Sequence, residues 1–182
     1  MEDISLHILD IAENSIKANA ENLKIKFHEN RKKDKTTLEI SDDGEGMNKQ
    51  TLNRALDPFF TTNNTRTVGL GLSLLSEAAK AANGTFSIKS KPGKGTHLKA
   101  VFQTSHIDTK PTGDMASTLI TLISGHPEIN IVYIHQINGK KYKLDTQKVK
   151  SQLNGIQINS PEVLRIIKSK IKKGIDSIGR QK

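Results

Sequence analysis

The chain of 182 residues has no cysteine and no tryptophan, and only 4% of its residues are aromatic. The absence of thiols excludes a disulfide framework, a thiolate zinc site and a cysteine nucleophile. No apolar run approaches the roughly 20 residues that a transmembrane helix needs. The N-terminus is acidic and leads directly into an amphipathic pattern, unlike a signal peptide. We therefore expect a soluble cytoplasmic protein with one ordinary domain and an appendage.

The positive charge lies mainly in the C-terminal part of the chain. The formal net charge is +9. Residues 107–182 carry 13 Lys and Arg against 6 Asp and Glu, a net of +7, which leaves +2 for residues 1–106. A basic tail favours binding to nucleic acid or to an acidic partner. The simpler interpretation is a solvated charged face, so nucleic acid is not the favoured partner.

Hydrophobic periodicity divides the chain into helices and strands. In residues 1–106 it predicts helices at 4–18, 47–56 and 70–82, and strands at 23–27, 37–41, 85–90 and 97–102. After a linker at 109–113 it predicts a helix at 114–124, strands at 129–137 and 140–144, and helices at 146–153 and 161–175. This order indicates an α/β (α+β) two-layer sandwich with a mixed, largely antiparallel sheet and helices on one face. Residues 107–182 are predicted to add a small α+β domain.

The last predicted helix carries an apolar stripe surrounded by lysine and arginine. Its stripe residues are Leu164, Ile167, Ile171 and Ile175. This pattern is typical of a packed helix with a basic outer face. A helix that binds a membrane surface or an acidic partner is the alternative.

The first predicted helix carries polar residues at a spacing that suits a metal. Asp10 and Asn14 are four residues apart and so lie on one helix face. A carboxylate and an amide carbonyl facing a pocket suit Mg²⁺, which takes few protein oxygens and keeps water and phosphate ligands. Glu13 lies one residue off that face, within reach of the pocket edge. An ordinary amphipathic helix with a polar face also explains the pattern.

A second motif, Asp42-Asp43-Gly44-Glu45-Gly46, follows a predicted strand. Its glycines allow close approach of the backbone to a ligand, and an aspartate at a strand end suits an exocyclic amine such as that of adenine. The EF-hand spacing fails because the twelfth position has no glutamate. An acidic turn without a ligand is the alternative.

A third motif, Gly69-Leu70-Gly71-Leu72, opens a predicted helix, where exposed N–H groups favour phosphate. It lacks the third glycine of a dinucleotide fingerprint, because residue 74 is leucine. Gly93-Lys94-Gly95-Thr96 joins two predicted strands and is not a P-loop. Arg66 is a candidate phosphate contact, with a solvated loop charge as the alternative.

Together with Asp57-Pro58-Phe59-Phe60-Thr61-Thr62, these motifs resemble the GHKL ATP-binding domain. That domain is shared by DNA gyrase, the heat-shock chaperone of this class, sensor histidine kinases and MutL. The resemblance covers roughly residues 4–104 and implies the Bergerat-type fold, ATP and Mg²⁺. The whole chain looks most like small stand-alone bacterial histidine-kinase-like ATPases, as an ATP domain at 1–106 with a basic domain of unknown role at 107–182.

The resemblance also implies roles for individual residues. Asn14 would be the Mg²⁺ ligand and Asp42 would accept a hydrogen bond from the adenine amine. Phe59 to Thr62 would form a lid hinge. The other residues that it places around the nucleotide are Gly44, Gly46, Met47, Phe60, Thr61, Thr62, Arg66, Val68, Gly69, Leu70, Gly71, Leu72 and Thr96.

Two departures from the family pattern affect the expected reaction. Gyrase-like and MutL-like members have a glutamate base four residues before the asparagine, where this chain has Asp10. Glu13 matches an acidic residue found beside the asparagine in kinases and in MutL, so the base is either Asp10 or Glu13. The histidines lack the sequence context of a phosphoacceptor, and we expect each to be a structural or a surface residue. They are His7, His28, His97, His106, His126 and His135.

Three functions stay open at the level of sequence. The first is a kinase-like ATPase, of histidine or serine specificity, that phosphorylates or regulates a partner protein in signal transduction. The second is an ATP-sensing binding module with little turnover. The third is a DNA-linked ATPase of the MutL or gyrase kind. The oligomeric state is open, with a dimer as one option.

Overall fold

Six strands form one continuous sheet. The computed structural model describes residues 2–56 and 71–179. The strands are β1 (Asn22–Asn30), β2 (Lys35–Asp42), β3 (Thr85–Ser90), β4 (Thr96–Gln103), β5 (Asn130–Ile137) and β6 (Lys140–Asp145). Their order is β3-β4-β2-β1-β5-β6, with β1 and β5 parallel and the other four pairs antiparallel. The predicted mixed, largely antiparallel sheet is confirmed.

The helices begin and end close to their predicted positions. They are α1 (Ile4–Lys17), α2 (Lys49–Ala55), α3 (Gly71–Ala81), α4 (Met115–Gly125), α5 (Thr146–Gln152) and α6 (Pro161–Gly179). Side chains of Asp3, Asn48, Asp114 and Asp145 cap α1, α2, α4 and α5 by accepting hydrogen bonds from backbone N–H groups in the first turn. These caps explain why the starts of the helices were readable from the sequence.

Buried apolar side chains alternate with exposed ones along the strands, so one face of the sheet packs against helices. Leu23, Ile25 and Phe27 of β1 are fully buried, whereas the residues between them are exposed. Ile4 and Ile8 of α1 belong to the same apolar cluster. The result is a helical layer on one face of the sheet, while no described helix covers the other face.

The C-terminal residues extend this sheet. The Cα of Ile25 in β1 is paired with that of Tyr133 in β5. Asn130 N–H donates to Glu21 O at 2.9 Å, and Thr118 Oγ1 donates to Ser5 O at 3.4 Å. Both parts of the chain contribute to one apolar cluster. The division into domains at 1–106 and 107–182 stays a prediction, and a truncation that tests it is described below.

Helix α6 packs through a stripe that only partly matches the predicted one, because Ile167 and Ile171 are buried while Leu164 and Ile175 are only partly buried. Val163, Ile167 and Ile171 are buried, and Ile178 continues the stripe, which explains why the helix extends beyond residue 175 to Gly179. Within residues 2–56 and 71–179, no helix is both long enough and apolar enough to cross a membrane.

Candidate nucleotide site

The side chain of Asp42, at the end of β2, is held by three donors. Ser15 of α1 donates its hydroxyl to Oδ2 at 2.8 Å. The backbone N–H groups of Gly44 and Thr96 donate to Oδ1 at 3.0 and 3.1 Å. The carboxylate thus has a fixed orientation between α1, the loop after β2 and the start of β4. A carboxylate has about four lone-pair positions, so capacity remains for a donor from a ligand.

The loop after β2 passes so close to neighbouring backbone that it needs glycine. Gly46 has φ +66°, and a Cβ there would overlap the carbonyl oxygen of Lys91. Glu45 anchors the loop on both sides: its N–H donates to Ala18 O at 2.8 Å, and its carbonyl accepts from Gly93 N–H at 2.7 Å. These bonds connect the end of α1 with the β3–β4 turn, so the glycine-containing loop has one defined path.

Asp43 has a structural environment that differs from that of Asp42. It accepts hydrogen bonds from the N–H groups of Glu21 and Asn22 at 2.9 and 2.8 Å, and from Asn22 Nδ2 at 2.6 Å. Partial burial raises the pKa of Asp43, but the hydrogen bonds from Asn22 and Glu21 outweigh it and the net shift is downward. The neighbouring carboxylates therefore have separate positions, with Asp43 stabilising the start of β1.

Two serines that sequence reasoning did not single out support the same region. Ser15 holds Asp42, as described above. Ser90 Oγ lies 2.9 Å from Thr96 Oγ1 and accepts from Met47 N–H at 2.8 Å. Ser15 follows Asn14 directly and has the helical spacing of the buried residue Ile11, which is the sequence signal that could have revealed it. The structure thus brings Thr96 and Met47 together with the Asp42 network.

Asp10 of α1 lies against the start of α3. A Cβ on Gly71 would overlap Asp10 Oδ2. This oxygen is buried and has no hydrogen-bond partner in the part of the chain that the structure describes. Burial raises the pKa of the Asp10 carboxyl, Lys17 opposes that rise and Glu13 adds to it. A buried carboxylate oxygen without a partner marks a position where a water or a ligand would be stabilised.

Glu13 is directed towards the C-terminal part of the chain. Its Oε1 lies 3.1 Å from His126 Nε2 at the end of α4, and Glu128 Oε1 lies 3.7 Å from His126 Nδ1. The two candidate bases therefore have different neighbours. Asp10 lies against Gly71, whereas Glu13 lies beside His126 at the end of α4.

The side chains of Asn14 and Asp10 suit a Mg²⁺ ion whose other ligands are chiefly the phosphates of the nucleotide. The Asn14 side chain makes no hydrogen bond with the described residues, and the unpartnered Asp10 Oδ2 lies on the same flank of α1. No group of three or more His, Cys, Asp or Glu in residues 2–56 and 71–179 forms a protein cage for a metal. Mg²⁺ commonly binds through one or two protein oxygens together with phosphates and water, so these residues suit it.

Part of the predicted site lies outside the described residues. These positions are Phe59, Phe60, Thr61, Thr62, Arg66, Val68, Gly69 and Leu70. Gly71 and Leu72 lie in the first turn of α3, and Leu72 packs against the apolar core. The predictions for the lid hinge and for most of the glycine-rich loop stay predictions.

A family model matches residues 2–106, more than half of the chain. It describes the histidine kinase-, DNA gyrase B- and HSP90-like ATPases. The chain belongs to this ATPase family. The resemblance seen in the sequence motifs is thereby confirmed, and membership supports ATP binding as the basic property of the site.

The chain is similar to parts of two sensor kinases and to the fold of one solved structure. The chain is 39% identical over 75 residues to sensor histidine kinase YxdK of Bacillus subtilis, covering 39% of this chain and 23% of the kinase. It is 42% identical over 89 residues to sensor protein kinase FleS of Pseudomonas aeruginosa, covering 49% and 22%. The match thus spans less than a quarter of these relatives. The N-terminal domain of a DNA repair protein has a similar fold, with TM-score 0.57, 17% identity and coverage of 92% and 56%.

Two buried histidines of this protein have contrasting environments. Both ring nitrogens of His135 have a hydrogen-bond partner: Tyr133 Oη lies 2.7 Å from Nδ1, and Glu29 Oε1 lies 3.0 Å from Nε2. His7 is 2% exposed, and neither ring nitrogen has a hydrogen-bond partner among the described residues. The pKa of His7 is lowered to about 4, chiefly by burial, with smaller lowering effects of the N-terminal amine and Lys110 and an opposing effect of Asp3. His7 is therefore a neutral core residue at neutral pH.

Acidification should destabilise the protein through His7. Between pH 6.5 and pH 4 the unfolded chain takes up a proton at this residue and the folded chain does not, so the free energy of unfolding falls as pH falls. A change in pKa from 6.5 to about 4 corresponds to about 3 kcal/mol. Chemical denaturation of His7→Leu and the parent chain at pH 7 and pH 4.5 should show a weaker pH dependence in the variant. Equal pH dependence in both would contradict the assignment.

Proposed function

We propose that this protein binds Mg²⁺·ATP and transfers the γ-phosphoryl group to a side chain of a partner protein. The observation that supports it most directly is the presence of two carboxylates in the site: Asp42, which is held in a fixed orientation, and Asp10, whose buried Oδ2 has no hydrogen-bond partner among the described residues. The first suits the adenine amine, and the second lies at the N-terminus of α3, where phosphate is favoured. The similarity to parts of two sensor kinases supports a kinase over a binding module.

The residues of this chain supply positioning and a proton acceptor. In the transfer, the bond between the γ-phosphorus and the β,γ-bridging oxygen breaks, ADP leaves, and the acceptor nitrogen or oxygen bonds to phosphorus. Asp10 Oδ2 takes the proton that the acceptor loses, for which its raised pKa suits it. Asn14 would bind Mg²⁺, which neutralises phosphate charge when bound. Asp42 holds the adenine ring at the other end of the nucleotide.

Incubation with γ-labelled ATP, with and without cell extract, tests the proposal. The expected result is transfer of label to a protein of the extract. Label on the chain itself would instead indicate autophosphorylation, and free phosphate alone would indicate a simple ATPase. Bound ATP without any transfer would identify a sensing module. Each of the last three results would contradict transfer to a partner.

The variant Asp10→Asn should separate binding from turnover. We expect turnover to fall at least about 100-fold, because the amide cannot accept the proton, a contribution typical of a general base. ATP affinity should change less than about threefold, since the amide has nearly the same shape beside Gly71. Isothermal titration gives the affinity and labelled ATP gives the turnover.

Glu13→Gln is the matched control for this variant. Its carboxylate lies 3.1 Å from His126 Nε2, so we expect turnover to be retained and only this hydrogen bond to be weakened. If Glu13→Gln lowered turnover and Asp10→Asn did not, Glu13 would be the base.

A further inference from the structure

The face of the sheet opposite the helices carries an ordered array of lysines. The register aligns residues across all six strands, from β3 to β6. One such row is Ser87, Lys99, Glu39, Lys26, Ile134 and Lys143. At about 4.8 Å between strands, a row is about 24 Å long. The nucleotide residue Asp42 lies on the other face with Leu38 and Ile40, so this array is separate from the ATP site.

The array is positively charged after its internal ion pairs are counted. Its lysines are Lys24, Lys26, Lys89, Lys99, Lys141 and Lys143, and its acids are Glu39 and Asp145, which gives +4. Glu39 is bound by Lys99 at 3.0 Å and by Lys26 at 3.3 Å. Hydrogen bonding from Lys99 lowers the pKa of Glu39, against a smaller opposing effect of burial. Lys143 pairs with Asp145 at 3.1 Å. Among the described residues, Lys24, Lys89 and Lys141 have no ion pair, and Lys26 and Lys99 share the single carboxylate of Glu39.

A depression in this face concentrates the charge. It has a volume of about 350 Å³, lies beside the β1–β2 turn and includes Glu39 and Ile134. Four lysines line it: Lys26, Lys33, Lys35 and Lys99. Lysines on the edge strands β3 and β6 are explained by protection against edge-to-edge pairing. Lys26, Lys35 and Lys99 lie on the interior strands β1, β2 and β4, where that explanation does not apply.

The side chains of this face favour an acidic protein over nucleic acid as the anionic partner. Val132 and Ile134 of β5 are only partly buried; Ile134 lies between Lys26 and Lys143 in its row, and Val132 lies between Lys24 and Asp145. An apolar centre with a charged rim is the usual anatomy of a protein interface. The row of Ile134 and the two rows that start at Thr85 and Lys89 of β3 contain no phenylalanine or tyrosine, so they lack the stacking platform typical of single-stranded nucleic acid binding. Phosphates also gain nothing from aliphatic side chains.

We infer that the uncovered sheet face docks a protein partner that presents acidic side chains around an aliphatic patch, with a carboxylate seated among the four lysines of the depression. Docking there leaves the nucleotide site accessible, because the two lie on opposite faces of the sheet. The inference does not depend on phosphoryl transfer.

Binding of labelled polymers to the full chain tests this surface. The probe is a fluorescein-labelled copolymer of glutamate and leucine, compared with a DNA duplex of equal charge, by fluorescence anisotropy at 50 mM salt. Lys33→Glu with Lys35→Glu should weaken copolymer binding at least tenfold. Among the described residues neither side chain has a hydrogen bond or ion pair, so the folded state should be retained. Lys170→Glu with Lys173→Glu makes the same charge change on α6 and should alter binding less than twofold.

The apolar centre is tested separately. Val132→Ser with Ile134→Ser should weaken binding of the glutamate–leucine copolymer at least threefold and leave binding of polyglutamate unchanged. Undetectable copolymer binding, or equal loss in the sheet and α6 charge variants, would overturn the inference. Tighter binding of the duplex than of the copolymer, lost in the sheet variant, would assign the face to nucleic acid instead.

Discussion

Replacing Asp42 with asparagine should lower the affinity for ATP at least about 100-fold. The side chain accepts hydrogen bonds from the Ser15 hydroxyl and from the N–H groups of Gly44 and Thr96. An asparagine side chain would bring an NH₂ group to one of these oxygen positions, against donors already in place. It would also lose an acceptor for the adenine amine. Hydrogen bonds to a charged group contribute about 1.5–3 kcal/mol, and 100-fold corresponds to about 2.7 kcal/mol.

Asp43→Asn is the matched control, because it makes the same chemical change one residue away. Asp43 binds the backbone of Glu21 and Asn22 at the start of β1. We expect this variant to lose thermal stability and to keep its ATP affinity within about threefold. Isothermal titration with Mg²⁺·ATP, together with a thermal melt of each variant, separates the two effects. Unchanged affinity in Asp42→Asn would place the adenine elsewhere.

The sequence predicted the elements of this fold well because their local signals agree with their tertiary environment. Asp3, Asp114 and Asp145 lie at helix starts and do cap them. The strand alternation of Leu23, Ile25 and Phe27 is also the burial pattern. The pairing of β5 with β1 has no such signal, since a parallel pair between strands about a hundred residues apart depends on the whole fold.

In the site, too, the sequence predicted residues that belong to local motifs but not contacts between residues far apart in the chain. The sequence indicated Asp42 and Asp10, because each lies in a recognisable motif. It left Asp10 and Glu13 as equivalent bases, since only tertiary structure pairs Glu13 with His126, 113 residues away. It also treated His7 as an ordinary histidine, although its burial without a partner follows from packing that no local pattern encodes.

Removal of residues 107–182 should abolish cooperative folding of the remaining chain. The truncation removes large buried side chains of α4 and β5, among them Leu119, Leu122, Ile123, Ile131 and Tyr133. Burying each contributes about 1.5–3 kcal/mol, so the loss is on the order of 10 kcal/mol. A typical domain is stable by only about 5–15 kcal/mol. The cut also exposes the backbone of β1 along its whole length as a new sheet edge, which favours aggregation.

Circular dichroism and a thermal melt of residues 1–106 measure this effect directly. The full chain carrying Leu122→Ala is the control, because it loosens the same cluster without exposing β1 and should cost about 2–5 kcal/mol while leaving a cooperative transition. A fragment that melts cooperatively near the temperature of the full chain would show that residues 1–106 form an independent domain, as the sequence predicted. Loss of the transition in the fragment but not in Leu122→Ala would show that the ATPase region requires the C-terminal strands, because β5 closes the open edge of β1 and α4 covers the apolar side of α1.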